Sequence, residues 1–281
     1  MAKCLVTGHK GYIGSRVFER LRELGHEVRG IDLKQGLDVI KDLDHEDYVS
    51  YKPEFIFHLA AIPRVPYSME FPEEVLENNI LSTIRILEYA RKSGTRRVIY
   101  SSSSSVVGDG QGPTSPYGAS KLVLEVLCKN YSDVYGLDTV CLRYFNVYSE
   151  DQAVDGPYAT AIANFMHCIR GNQRPYITGD GEQRRDMLHV SDAVSANVFC
   201  MYCDENFAGR WFDVATGENI SLNEIEDIVK QYHPDVVFDR VPEREGDVRT
   251  TKADTWPLKK LDWVAKIDIN TGIHSCFNFK E

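Results

Sequence analysis

The chain has no apolar run that reaches about 18 residues before a charge interrupts it, which excludes a hydrophobic membrane-spanning helix. It has no excess of positive charge. Its 32 lysines and arginines stand against 42 aspartates and glutamates, a formal net charge of −10. A nucleic-acid or anionic membrane partner is therefore not expected, since either needs a basic face. The opening apolar stretch, Lys3-Cys4-Leu5-Val6-Thr7, is too short for a signal-peptide core. Of the seven cysteines, Cys200 and Cys203 form a C-x-x-C, but no second pair stands at zinc spacing. The pair reads as helix packing, no metal is expected, and reduced thiols fit a cytoplasmic protein. Repeats, low-complexity tracts and flexible linkers are absent too.

What remains is 281 residues, 43% of them hydrophobic, enough for a sizeable core in two domains or one α/β unit with a cap. Short apolar runs predict strands over 3–7, 27–31, 54–59, 97–100 and 138–143. Helical periodicity predicts helices over 16–24, 72–93 and 117–135, closed by Gly25, Gly94 and Gly136. Strands alternating with helices predict an α/β fold with a doubly wound, Rossmann-type parallel sheet. After Asn146 the pattern loosens. Helices are expected near 158–169, 192–202 and 222–231, and strands at 176–178 and 211–214. The expected division is a dinucleotide-binding domain over 1–150 and a smaller α/β substrate domain over 151–281. Residues 187–216 are expected to return to the first domain.

Gly8-His9-Lys10-Gly11-Tyr12-Ile13-Gly14 is a G-x-x-G-x-x-G loop between a strand and a helix. Glycine serves where a turn needs positive φ, where backbone approaches a pyrophosphate, and where helix meets strand. The helix N-terminus then offers free N–H groups to phosphate. Asp32 ends the second strand, where a carboxylate accepts ribose hydroxyls and repels a 2′-phosphate, so NAD is expected rather than NADP. Alone, the loop could be a plain tight turn and Asp32 an exposed strand-end acid. Their strand–loop–helix context favours the cofactor.

Tyr117-Gly118-Ala119-Ser120-Lys121 opens a helix as Y-x-x-x-K. The i, i+4 spacing puts both side chains on one face. A phenol near pKa 10 is a poor base at pH 7. A neighbouring ammonium favours the phenolate, as would a cationic nicotinamide, and a general base for a hydroxyl proton results. The serine run Ser101–Ser105 at a strand end upstream reads as a site.

Together these residues resemble the extended short-chain dehydrogenase/reductase family, in its NAD-dependent nucleotide-sugar epimerase/dehydratase branch. The likeness covers nearly the whole chain. It includes His58-Leu59-Ala60-Ala61, Glu77-Asn78-Asn79-Ile80, and Tyr100-Ser101-Ser102-Ser103 followed by Val106-Val107-Gly108-Asp109. It continues through Leu142-Arg143-Tyr144-Phe145-Asn146, Gly179–Asp186 and Arg244-Glu245-Gly246-Asp247-Val248. The resemblance implies Ser103, Tyr117 and Lys121 as the catalytic group, with Ser102 and Ser104 still open as alternatives to Ser103. It implies cofactor contacts from Gly8, Gly11, Tyr12, Ile13, Gly14, Asp32, Asp38, Val39, Leu59, Ala60, Ala61, Asn79, Ser101 and Tyr144, besides Tyr117 and Lys121. Asn146, Arg185 and Arg244 would hold the substrate phosphates, for which arginine forks are suited, and Thr251 would line the sugar pocket. A homodimer through the helices 72–93 and 117–135 is likewise implied.

The sequence departs from the family pattern in places. Only six positions separate Asp32 from Asp38, so the usual helix between the second and third strands is expected to be missing. The Ser103–Tyr117 stretch is short, and Val107 and Ser149 replace an aromatic and a glycine. Within this family, dehydratases carry acids just after the catalytic hydroxyl residue, where this chain has Ser104 and Ser105. The decarboxylase glutamate is also absent, and no cysteine lies between Cys4 and Cys128 for 3,5-epimerisation. The resemblance therefore points to reversible oxidation at C4, a UDP-hexose 4-epimerase acting on the glucose/galactose or N-acetylglucosamine/N-acetylgalactosamine pair. An NDP-4-keto-sugar reductase with net cofactor turnover, or a non-catalytic dinucleotide-binding regulator, are the alternatives.

Overall fold

The computed structural model describes residues 1–108, 110–152, 154, 160–243 and 249–278. The chain forms two compact units. The first comprises 1–107, 113–143 and 193–212. The second comprises 108–112, 144–192 and 213–281.

In the first unit the order is β1 (Lys3–Thr7), α1 (Tyr12–Glu23), β2 (Glu27–Ile31), α2 (Val39–Asp42), α3 (Glu46–Val49), β3 (Phe55–His58), α4 (Val65–Glu70), α5 (Pro72–Ser93), β4 (Arg97–Ser103), α6 (Pro116–Tyr135) and β5 (Asp138–Tyr144). A six-stranded parallel sheet runs in the order β10-β5-β4-β3-β1-β2, with β10 at Trp211–Val214. Cys4 pairs with Val28 on one side and with Phe55 on the other. Because β1 sits between β2 and β3, the chain reverses direction across the sheet there, and the carboxyl ends of β1 and β3 form the crevice where such sheets bind ligands. Helices cover both faces, so the inner strands read as unbroken apolar runs. Leu5, Ile56, Val98, Leu124 and Cys141 meet in one core.

The sequence-based boundaries hold within one or two residues for most elements. The exceptions are local. The first helix starts at Tyr12, five residues before its apolar periodicity begins at Val17, because its first turn faces the glycine loop and not the core. Between β2 and β3 no long helix crosses; two four-residue helices take its place. Tyr48 of α3 donates to the Gly30 carbonyl (3.0 Å), and Tyr51, just beyond α3, to the carbonyls of Glu27 (2.7 Å) and Cys4 (3.1 Å). Aromatic hydroxyls thus satisfy backbone at the sheet edge that a longer helix would cover.

The second unit contains β6 (Asn146–Tyr148), α7 (Ala161–Arg170), β7 (Tyr176–Thr178), β8 (Arg184–Arg185), β9 (Met187–His189), β11 (Ile220–Ser221), α9 (Leu222–Tyr232), β12 (Asp239–Val241), α10 (Trp256–Lys259) and α11 (Ile269–Phe277), with α8 (Val190–Tyr202) beginning in it. Three two-stranded pairings, β11-β8, β12-β7 and β6-β9, surround a core of Tyr148, Phe165, Ile177, Ile225 and Phe277. Thr160 caps α7; the expected start of that helix, Tyr158, lies outside the described residues. All seven cysteines are free. Among the described residues no helix is long and apolar enough to cross a membrane.

Candidate active site

The glycine loop is built to bring backbone close. Gly8 adopts φ +68°, and a Cβ there would lie 2.8 Å from the Ala60 amide nitrogen. A Cβ on Gly14 would run into the Gly8 carbonyl. Gly11 caps α1 without any side-chain hydrogen bond, so first-turn amides of that helix, at Ile13 and Gly14, are left for a ligand. These features fit a dinucleotide diphosphate, with phosphate oxygens at the positive end of α1.

Asp32 is nearly buried. One oxygen accepts from the Lys10 amide and the other from the Lys34 amide, both at 2.8 Å. The carboxylate therefore ties the glycine loop to the end of β2 while keeping a lone pair on each oxygen for another donor. Asp38 caps α2 by accepting from the Ile40 amide (2.8 Å), beside buried Val39. After β3, the amides of Leu59 and Ala60 donate to the Thr7 hydroxyl at 3.1 and 3.0 Å, with Ala61 next in the chain. Thr7 also bonds His58, whose other ring nitrogen meets Thr83. Burial first, then the charge of Lys121, pushes His58 down to about 3, so it is neutral at physiological pH. Asn79 is buried, accepts from the Ile62 amide (2.8 Å) and donates to the Ser120 hydroxyl (3.1 Å).

The serine strand end and α6 come together. Ser115 caps α6 through the Gly118 amide (3.1 Å), and Pro116 fills its first turn. Lys121 is buried and donates to the Ser101 carbonyl at 2.7 Å, with its nitrogen 5.8 Å from the Tyr117 ring centroid. Ser103 stands close enough to the Tyr117 phenol to lower it, while its own hydroxyl donates to Ser105 at 3.1 Å. The Ser102 hydroxyl is committed elsewhere, to Glu125 at 2.5 Å. Burial raises the Tyr117 phenol above its ordinary value, and the Ser103 hydroxyl and the Arg64 guanidinium pull it back. Burial also lowers Lys121 to about 8. In the protein alone, then, desolvation outweighs the charges expected to favour the phenolate.

In the second unit Asn146 and Arg185 line one cavity of about 200 Å³, with Thr178, Gln183 and Phe165. Asn146 donates to the Asp186 carbonyl (3.3 Å), and Asp186 anchors the Thr216 and Gly217 amides (2.9 and 2.7 Å). Thr251 is outside that lining; its carbonyl accepts from Asn219 (2.7 Å) and its hydroxyl has no partner. Tyr144 ends β5 and is buried. Arg244, with the rest of its motif through Val248, lies outside the described residues.

Sequence reasoning overlooked Arg64 and Glu125. Arg64 caps α4 at φ +98° and ψ +112°, a backbone conformation that L side chains rarely adopt, and no motif marks it. Glu125 was legible: it stands four residues beyond Lys121 on the face already singled out. Among the described residues no cluster of three or more His, Cys, Asp or Glu could hold a metal ion.

Sheet order, glycine cradle and the Tyr117–Lys121 pair define a dinucleotide-dependent α/β enzyme. Residues 4–215 match the NAD dependent epimerase/dehydratase family, and the chain belongs to it. It is 32% identical to the UDP-N-acetyl-alpha-D-glucosaminuronate decarboxylase of Bacillus cytotoxicus, over 92% of this chain and 91% of that one. It is 30% identical to the UDP-glucose 4-epimerase of Mycolicibacterium smegmatis, over 99% and 98%. The crystal structure of Thermotoga maritima UDP-glucose 4-epimerase with UDP-glucose superposes with a TM-score of 0.91 at 29% identity, covering 98% of this chain and 97% of that one. The chain is thus an NAD-dependent enzyme of the nucleotide-sugar epimerase type.

Proposed function

We propose that the chain is a UDP-hexose 4-epimerase, acting on the glucose/galactose pair, the N-acetylhexosamine pair, or both. The observation that carries this reading is Ser103 and Tyr117 set beside the buried Lys121 and a glycine cradle, with serines where elimination chemistry would need acids. The first unit would hold NAD along Gly8–Gly14, Asp32 and Asn79. The cavity of Asn146 and Arg185 would hold the substrate's nucleotide diphosphate, Arg185 supplying charge to a chain that is acidic overall. Tyr117 takes the O4 proton, Ser103 donates a hydrogen bond to the same oxygen, and Lys121 orients the phenol and stabilises its anion. NAD supplies the reversible hydride acceptor at C4. Returning the proton from Tyr117 after the 4-keto sugar has turned over gives the C4 epimer. A cytoplasmic homodimer completes the proposal.

A second reading has one observation in its favour. Arg64 carries a cation close enough to act on Tyr117 and pairs with no described carboxylate. A carboxylate at C5 of the sugar, as in a UDP-hexuronate, would give it a partner. Incubation with UDP-glucose, UDP-N-acetylglucosamine and UDP-glucuronate, reading the C4 epimer by NMR and NADH by absorbance, separates these cases. Epimer without net NADH change supports the proposal. Stoichiometric cofactor consumption makes the enzyme a reductase instead, and no turnover of any nucleotide sugar leaves a binding protein.

A further inference from the structure

Tyr117, Lys121 and Glu125 stand four residues apart on one face of α6, and all three grip the end of β4. Tyr117 lies beside Ser103, close enough for that hydroxyl to act on the phenol. Lys121 donates to the Ser101 carbonyl at 2.7 Å. Ser102 donates to a Glu125 oxygen at 2.5 Å. Glu125 is 4% exposed, and Arg143 of β5 grips it with both arms, Nε at 2.8 Å and Nη2 at 2.6 Å. The guanidinium in turn lies 3.6 Å from the Trp211 ring centroid. A buried pair of this kind is a poor source of stability, since apolar residues of similar volume often serve as well. Its location one turn from a buried ammonium suggests another use.

We propose that Glu125, held in place by Arg143 and Ser102, is a positioning residue for the reaction: it fixes β4 against α6 and supplies the negative charge that the Lys121 ammonium faces. The proposal rests on Tyr117 and Lys121 being the acid–base pair. Around Lys121 stand Tyr117, Glu125 and Cys128 from α6, Tyr100 and the Ser101 carbonyl from β4, His58 from β3, and Cys141 and Arg143 from β5. Burial keeps Tyr100 a neutral phenol and His58 a neutral ring, and Cys141 a thiol through its bond with Cys128 and its burial. Glu125 is the one carboxylate in that group. It opposes the desolvation that brings Lys121 to about 8, and so keeps the ammonium charged near neutrality.

The test compares the NAD-loaded parent enzyme with Glu125→Gln, Glu125→Asp and the double variant Glu125→Gln/Arg143→Met, which leaves no unpaired charge buried. The alkaline limb of kcat/KM against pH is measured for each, and the Lys121 titration is read independently from the ¹³Cε shift of labelled lysine. Loss of the facing charge should lower both the limb and the titration by about one pH unit, with activity retained on the acid side and the Asp variant nearer the parent. The double variant, which also removes the Arg143 cation, should move both less than Glu125→Gln does, and the Asp variant carries the test if Glu125→Gln fails to fold. A uniform loss at every pH with the limb and the Lys121 titration unmoved would make Glu125 a packing residue and overturn the proposal. Full activity of Tyr117→Phe would instead overturn the acid–base reading beneath it.

Discussion

Replacing Arg64 separates strain from charge at the active site. Its backbone sits at φ +98°, where a side chain is costly, and strained residues of this kind cost about 1–3 kcal/mol. Arg64→Gly removes that cost but gives back about 0.5–1 kcal/mol through the greater freedom of glycine in the unfolded chain. Arg64→Ala removes the guanidinium and keeps the strain. The Gly variant should therefore be the more stable of the two by about 1 kcal/mol at the middle of those ranges, or about 2–4 °C in thermal midpoint for a chain of this size. Differential scanning calorimetry at one pH measures the difference. The two variants should agree with each other, however, in their pH profiles. Each loses the cation that pulls the Tyr117 phenol down, so the phenol rises and the pH at which activity reaches half its plateau moves upward equally in both. An Ala variant as stable as the Gly variant would refute the strain, and a profile that does not move would show that Arg64 exerts no field on Tyr117.

Tyr117→Phe should lower kcat by about 10²–10⁴ while leaving NAD affinity and the thermal midpoint unchanged; near-parental turnover would remove the phenol from the mechanism. Asp32→Ala should weaken NAD by about tenfold or more, since bonds to charged acceptors are worth about 1.5–3 kcal/mol, and should narrow the preference over NADP. Unchanged affinity by calorimetry would leave Asp32 only its bonds to Lys10 and Lys34. The parent chain should scatter light as a dimer at micromolar concentration. Leu81 of α5 and Val123 and Val126 of α6 are 40%, 43% and 61% exposed, and Val126→Glu should yield monomer. Thr251→Tyr should cost an N-acetylated sugar about 1–3 kcal/mol in kcat/KM through overpacking and a plain hexose little, while equal losses would place Thr251 away from the C2 substituent.

The parts of the fold written as period and punctuation were readable in advance. Helix α5 ends where Gly94 takes positive φ and α6 where Gly136 does, and the apolar runs of β1, β3 and β5 have no competing helical pattern. The chemistry of Tyr117 and Lys121 was readable because four-residue spacing on a helix converts sequence into a shared face. The helices α2 and α3 were not readable, because each is a single turn too short to show a period, and α3 is docked by Tyr48 and the neighbouring Tyr51 on distant carbonyls. Nor was the balance of forces on Tyr117. Motifs announce which charges stand near a phenol, whereas desolvation depends on everything packed around it, and here burial is the largest influence. Arg64 carried no sequence signal at all, since its character lies in a backbone angle.

The most direct test of the central claim is the fate of hydrogen at C4. A UDP-hexose carrying deuterium at C4 is incubated with the purified enzyme, and the epimer is isolated and examined by NMR and mass spectrometry. Oxidation and re-reduction of the same sugar within one active site predict that the epimer keeps its deuterium at C4, with no net change in absorbance at the NADH maximum. Epimer formed with C4 deuterium lost to solvent, or no epimer from any UDP-hexose while the Ser103–Tyr117–Lys121 group is intact, would contradict it.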